Sequence, residues 1–436
     1  MYNHHYKFNV FILFALLASL SAGFNRVSGA IPPFGIRTTA SLFATPWPTS
    51  APAGYAAIAG VGARPFDAAL WERGALNLVP NAQSPLLDPL AGSFRNIYAP
   101  SAVETPTGWR VFFGGWDGTP SGNDHIYGVT TPDFRSFSDR GTLIDPGAFQ
   151  HVCNVNALQL ADGSFNALCT VFPDAYGYNK PAFYRGLTNE ISASRSDIAQ
   201  IYGYGNYAGA DVNGMNVLLF DDNVYRMYFC DYRNFTHVYR ATSREGMSYT
   251  YDGPALASNH NVNDVKKFIT PYGPCYLMGL HANSAHTWYS LSRDGMNFAP
   301  ERPLISQGSG ADPFIVALGW VVKGNQEQPG RRLLGLLYGA GANPQLDENR
   351  IFARWLQMKL VFVSDDGQRI TGGSADGPES QLIPLGSATS LTGTLQVYAE
   401  DGKTFLCSVG RVELDAGQAY QLRFSNLPGT FSELVP

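Results

Sequence analysis

A strand–turn–strand unit recurs about five times between Asn96 and Gly367, and nothing else in the chain restricts its fold so strongly. Each unit opens with Asn or Asp beside an apolar run, and its second strand ends in a polar loop. A third strand follows, and most copies close on a small residue, a charge and an aromatic. The closing phrase is clearest as Ser292-Arg293-Asp294-Gly295-Met296-Asn297-Phe298. It returns as Ser243-Arg244-Glu245-Gly246-Met247-Ser248-Tyr249, and more loosely as Thr131-Pro132-Asp133-Phe134-Arg135-Ser136-Phe137. Ser364-Asp365-Asp366-Gly367 resembles a last copy and Ser194-Arg195-Ser196-Asp197 a worn one. Repeats of this length built from strands stack as blades around an axis. The sequence therefore predicts an all-β, five-bladed propeller with a small C-terminal β extension.

The units begin at Asn96, Asn154, Asp211, Asn263-Asp264 and Asp312. Asp162-Gly163 and Asp222-Asn223 sit between apolar runs and tolerate positive φ, as hairpin turns require. No long helical periodicity competes. The expected organisation is a leader over residues 1–30, an extended segment over 31–94, the propeller over 95–367, and a β extension or closing strands over 368–436. The 31–94 segment is rich in Pro, Ala and Gly, and could lend a strand that closes the ring.

Apolar residues form 45% of the 436, while charged residues are 15% against a usual quarter. The 27 Phe, 23 Tyr and 7 Trp suit short strands and also suit a carbohydrate-facing surface. Net charge is −5 with no Lys/Arg run, which argues against nucleic acid or an anionic membrane as partner. Lys7, the apolar stretch from Phe8 to Leu20 and small residues Ser28-Gly29-Ala30 read as a secretory signal. A membrane anchor is the competing reading of that stretch. The mature protein is expected to be secreted or periplasmic, in an oligomeric state the sequence leaves open. The five cysteines show no metal spacing; Cys153 and Cys169 could pair or stay as buried thiols.

In a propeller the start of each inner strand and the loop after each second strand reach the same mouth of the axial channel. That brings together Asn96, Asn154, Asp211, Asp264 and Asp312 with Asp117, Asp124, His125, Asp174, Asp231, Arg233, His281, His286, Asp347 and Glu348. Several carboxylates in one concave site suit glycosidic bond cleavage. One acid protonates the leaving oxygen while a second carboxylate activates water or attacks the sugar. Asp264, Asp312 and Asp211 form the expected carboxylate set, with Asp117 next. Trp116, His281, Arg233, Asn154, Tyr98 and His125 are the expected substrate contacts, and Tyr176 is a further natural platform for a sugar ring. Asp or Asn at a strand start also caps turns through backbone N–H groups, so each has a structural reading too. The Asp-Gly of the closing phrase reads as a peripheral structural turn. No cofactor is implied, although Asp or Asn oxygens at the axis with a His could hold a structural Ca²⁺.

The chain resembles the five-bladed β-propeller glycoside hydrolases, the broad group containing families 43, 62, 32 and 68. The likeness rests on Asp312-Pro313-Phe314-Ile315, on Tyr98-Ala99-Pro100-Ser101-Ala102-Val103 followed by Trp109-Arg110-Val111-Phe112-Phe113, and on the closing turn with Phe298. These lie within the repeat region of about 270 residues and point to no single family. The resemblance implies an exported hydrolase of a plant or microbial polysaccharide, arabinofuranoside-like or related, using an Asp base or nucleophile and a carboxylic acid. Two positions depart from family 43: Asn96 stands where its catalytic Asp precedes the Pro, and Asp264 where it carries a Glu. The Trp-Met-Asn-Asp-Pro-Asn signature of family 32 is absent. A non-catalytic carbohydrate-binding propeller is the alternative, and a polysaccharide lyase on the same scaffold a third reading.

Overall fold

In the computed structural model, the described residues are 49–59, 78–81, 84–90, 95–118, 123–187, 191–192, 197–306, 311–344, 348–356, 358–374, 380–399, 402–403, 405–424 and 432–435. The expected leader and Asp347 lie outside them.

Five antiparallel sheets form the body. Blade 1 orders Ile97–Thr105, Gly108–Gly115, His125–Thr131 and Ser138–Asp145 from the axis outward, with Ile191–Ser192 added in parallel at its rim. Blade 2 has His151–Gln159, Phe165–Phe172 and Lys180–Leu187. Blade 3 runs Val217–Asp221, Val224–Phe229, His237–Ser243 and Ser248–Ala257, edged in parallel by Gln200–Tyr202. Blade 4 has Asn261–Thr270, Gly273–His281, His286–Ser292 and Arg302–Ser306. Blade 5 has Phe314–Lys323, Arg332–Gly341 and Arg350–Trp355, and Val79–Pro80 from the leading segment supplies its outermost strand. Each inner strand touches the next, and the fifth touches the first, so the ring is closed. The architecture is the five-bladed β-propeller that the repeat predicts.

Burial follows from the stacking of blades. Arg332–Gly341 is covered on both faces by neighbouring blades and reads as a near-continuous apolar run. The outer strand Ser248–Ala257 borders solvent and alternates instead. Ala99, Met215 and Ala317, from blades 1, 3 and 5, meet in a small buried cluster with Tyr98 packed against it. Close approach is required there. A Cβ on Gly339 of blade 5 would fall 2.9 Å from the Tyr98 Cα and Cβ, so only glycine lets blades 1 and 5 touch.

Residues beyond the propeller form two further sheets. One orders Gly373–Ser374, Ser380–Pro384, Tyr55–Ala59, Ala419–Phe424 and Ser432–Val435; the other orders Arg369–Thr371, Met358–Ser364, Ser390–Ala399 and Phe405–Asp415. Met358–Ser364, placed by its sequence at the end of the propeller, thus pairs with Ser390–Ala399 rather than with a blade. Tyr55–Ala59 sits in the middle of the first sheet, so the leading segment joins both bodies. One hydrophobic cluster runs from Val111 and Phe113 of blade 1 and Leu337 of blade 5 into Phe362, Leu395 and Leu422. All five cysteines are free thiols.

Candidate active site

The inner strands begin at one mouth of the channel, here the upper, and end at the lower. Strand direction alternates within a blade, so the loop after each second strand is also upper, while the closing Ser-x-Asp-Gly turns are lower.

Those turns are built as caps. Ser292 Oγ accepts from the N–H of Gly295 at 3.0 Å, and Asp294 Oδ1 accepts from Met296 and Asn297 N–H at 2.8 Å each. Ser243 with Glu245 repeats this in blade 3, and Thr131 with Asp133 in blade 1. The residue at the sharpest point is Gly246 (φ 87°) or Gly295 (φ 67°), and Phe134 adopts the same region at 55° in the first copy. Backbone donors hold the pKa of Asp133, Glu245 and Asp294 below the ordinary carboxylate range, despite the opposing effect of burial. Ser194 to Ser196 lie outside the described residues.

Two of the four expected carboxylates are occupied by the scaffold. Asp264 is 1% exposed. Its Oδ2 accepts from the Trp320 N–H of blade 5 at 2.9 Å, and its Oδ1 accepts from Asn156 of blade 2 at 3.2 Å and Lys266 at 2.9 Å. It belongs to a set of side chains that clip one blade to the next. Ser101 Oγ accepts from Ala157 N–H, Asn156 Oδ1 from Leu218 N–H, and Asn263 Oδ1 from Leu318 N–H. Asp117, also buried, receives Arg140 Nε at 2.8 Å and Nη2 at 2.5 Å, and the Leu90 N–H at 3.0 Å. It ties the leading segment to blade 1.

The upper mouth at blades 1 and 2 is different. Tyr98, in the first inner strand, donates its hydroxyl to Asp124 Oδ2 at 2.6 Å. The Asp124 carbonyl accepts from Val152 N–H at 3.1 Å, which fixes the loop end against the start of blade 2. Asp124 Oδ1 is sealed from solvent and has no hydrogen-bond partner among the described residues. Burial raises the Asp124 pKa above the ordinary range, against the Tyr98 hydrogen bond and the nearby His151 and His125, which lower it. The same burial, and Asp124 itself, push the Tyr98 hydroxyl and the Cys153 thiol well up. Buried polar atoms without partners gather here: His125 Nδ1 and Trp116 Nε1 join Asp124 Oδ1. Asn154 stands at the same blade start with φ 54°.

Asp211 and Asp312 also reach the upper mouth. Asp211 Oδ1 accepts from the Asn179 N–H at 3.0 Å and Nδ2 at 2.8 Å, and its own N–H donates to Asp231. Asp312 Oδ2 accepts from the Tyr338 hydroxyl at 2.6 Å. Tyr338 directly precedes Gly339, on which Tyr98 rests, and its own ring points to the opposite face, into the core that blade 5 shares with blade 4. Arg233 is exposed, donates to the Tyr178 hydroxyl and lies 5.2 Å from that ring's centroid. His281 is buried between Asn263 (2.7 Å to Nδ1) and Asn283 (2.9 Å to Nε2). Burial lowers its pKa to about 3, so it is a neutral lining residue.

At the lower mouth a cavity of about 760 Å³ is bordered by all five blades. Among its charged walls, Lys266 pairs with Asp264, Glu104 accepts from Gly324 N–H at 2.6 Å, and Arg331 donates to the Lys267 carbonyl at 2.7 Å while its buried Nε has no hydrogen-bond partner among the described residues. No group of three or more His, Cys, Asp or Glu side chains among the described residues could hold a metal ion.

The sequence placed Asp124 only among the wider set of loop carboxylates, and it missed His151, Cys153 and Tyr338. Asp124 and Tyr98 lie 26 residues apart, and no local signal marks which loop acid meets which aromatic.

No family model matches this chain, and no curated protein matches it. Its fold resembles solved structures that include a glycosyl hydrolase from Bacteroides ovatus (14% identity, TM-score 0.45, 64% of this chain and 93% of that one). Another is the catalytic domain of the Coprinopsis cinerea family 62 α-L-arabinofuranosidase (14%, TM-score 0.44, 64% and 96%). An N-acetylgalactosamine deacetylase from F. plautii is also similar (15%, TM-score 0.43, 64% and 95%). None of these proteins extends its family or its activity to this chain.

Proposed function

We propose that the upper mouth is the active site of a glycoside hydrolase that acts on a polysaccharide or oligosaccharide outside the cell. The observation that carries this reading is the state of Asp124. Its raised pKa keeps the carboxyl protonated further toward neutral pH, as a general acid needs. Tyr98 occupies Oδ2, which leaves Oδ1 for the proton; because Oδ1 is sealed from solvent, a side chain over it has to move before it reaches a glycosidic oxygen. Asp312, held by Tyr338 on the adjoining blade, is the second carboxylate, and it either attacks the sugar or takes a proton from water. Asp211, Arg233 and Trp116 line the approach of a sugar ring. Arabinofuranosides and related plant or microbial glycans are the first substrates to try.

The purified protein should release reducing ends from at least one of arabinan, arabinoxylan, fructan or pectic fragments. Asp124→Asn and Asp312→Asn should each lower that rate by about 10²-fold or more. Undiminished cleavage in both variants would sink the assignment. A second reading, a non-catalytic sugar-binding propeller, draws support from the capture of Asp117 and Asp264 by the scaffold. It predicts saturable binding with no product from any of these glycans.

A further inference from the structure

Away from the axis, a cleft of about 490 Å³ opens on the upper face between blades 2 and 3. Its size falls within the usual range for small-molecule sites, about 300–1,000 Å³. Two tyrosines border it: Tyr176, from the return loop of blade 2, and Tyr202, at the end of the edge strand of blade 3. They are 68% and 61% exposed, more than any other aromatic among the described residues. Single exposed aromatics are ordinary, but two on the rim of one cleft are a paired apolar surface.

The floor is rigid and polar. Tyr204 donates to Asp231 Oδ2 at 3.0 Å, and Tyr207 donates to the Ala199 carbonyl at 2.5 Å. Lys180 is 2% exposed, bonds the Ala210 carbonyl and lies 3.4 Å from Asp174 Oδ2. Its Nζ also stands 5.2 Å from the Tyr207 ring centroid and 5.3 Å from that of Tyr178.

This chemistry selects among ligand classes. The protein's own ammonium already occupies the place an aromatic cage would offer a cation. Asp174, with Asp211 and Asp231 nearby, offsets the Lys180 charge, so a polyanion finds no net attraction. A neutral sugar satisfies both parts, with its C–H faces on the exposed rings and its hydroxyls toward the polar floor.

We infer that this cleft is a second carbohydrate-binding site, which holds a neutral polysaccharide chain beside the axial mouth. Residues 203–216 run from Tyr202 at the rim past Asp211 to the inner strand of blade 3, so one segment connects the cleft to the axial mouth. The inference does not depend on catalysis at Asp124.

Affinity electrophoresis of the full chain through gels holding arabinan, arabinoxylan or inulin tests it, with polygalacturonate as the anionic control. Wild-type protein and Asp124→Asn should both be retarded by at least one neutral glycan. The double variant Tyr176→Ala/Tyr202→Ala should bind that glycan about tenfold more weakly. It should also keep the wild-type thermal transition. Tyr176→Trp/Tyr202→Trp should restore retardation, which a merely unfolded alanine variant would not explain. Equal retardation of the alanine variant, no retardation of wild type by any neutral glycan, or stronger retardation by polygalacturonate would each overturn the assignment. Failure of Asp124→Asn to lose cleavage would count against the axial reading alone.

Discussion

The Tyr98 hydroxyl donates to Asp124 Oδ2 across 2.6 Å, joining the first inner strand to the loop that enters the third strand of the same blade. The bond stabilises the carboxylate form and so lowers the Asp124 pKa, while burial acts more strongly in the opposite direction. Tyr98→Phe leaves burial less opposed and raises the pKa further. A general acid works while protonated, so activity falls as pH rises through its pKa. The alkaline limb of kcat/KM should therefore move to higher pH in Tyr98→Phe, and Asp124→Asn should lose that limb. An unmoved limb in the phenylalanine variant would remove Asp124 from the acid role.

Asp264 should prove to be a stability residue. Asp264→Ala leaves the Lys266 ammonium and the Trp320 N–H without their partner in the interior, which costs about 3–5 kcal/mol. Asp264→Asn keeps an acceptor and should cost less. Urea unfolding monitored by tryptophan fluorescence measures both. A fully stable but inactive asparagine variant would instead return Asp264 to the catalytic set.

His281 makes stability depend on mildly acidic pH. Its folded pKa is about 3, below the ordinary 6.5, because burial disfavours the charged ring. The unfolded chain therefore binds more protons between these values, and stability is lost as pH falls from about 6.5 toward 3. His281→Gln should flatten the fall in melting temperature across that interval. A slope equal to wild type would show that the loss arises elsewhere.

The closing turns should report on folding without touching chemistry. A Cβ at Gly295 would sit 3.0 Å from the Tyr228 Oη and 3.1 Å from Tyr276 Cε1, on a backbone with φ 67°. Gly295→Ala should destabilise by about 1–3 kcal/mol with turnover unchanged. Asp294 has a folded pKa below its unfolded one, so its stabilisation is present above about pH 4 and is lost as pH falls below that value. Thermal melts of Asp294→Asn should be flatter in that acidic range. An equal drop in turnover would place the turn in the functional machinery.

The sequence by itself determined the repeating strand pattern, the five blades and the chemistry of the closing turns, because each is a local matter. Alternation, hairpin residues and a Ser or Thr three positions before a residue of positive φ act over a few residues. The same local character explains its limit at Ser364, whose turn serves a sheet outside the propeller as well as it would serve a blade. Only the tertiary structure decided which partners each acid meets. Blade 4 has a register shift between Val262 and Asp264, and a shift of one residue exchanges the two faces of a strand. Asp264 then meets Trp320 and Asn156 from other blades, while Asp124, one plain loop acid among many, meets Tyr98 in a part-buried corner. Protonation and pairing depend on burial and on partners far away in the chain, and those exist only once the ring has closed.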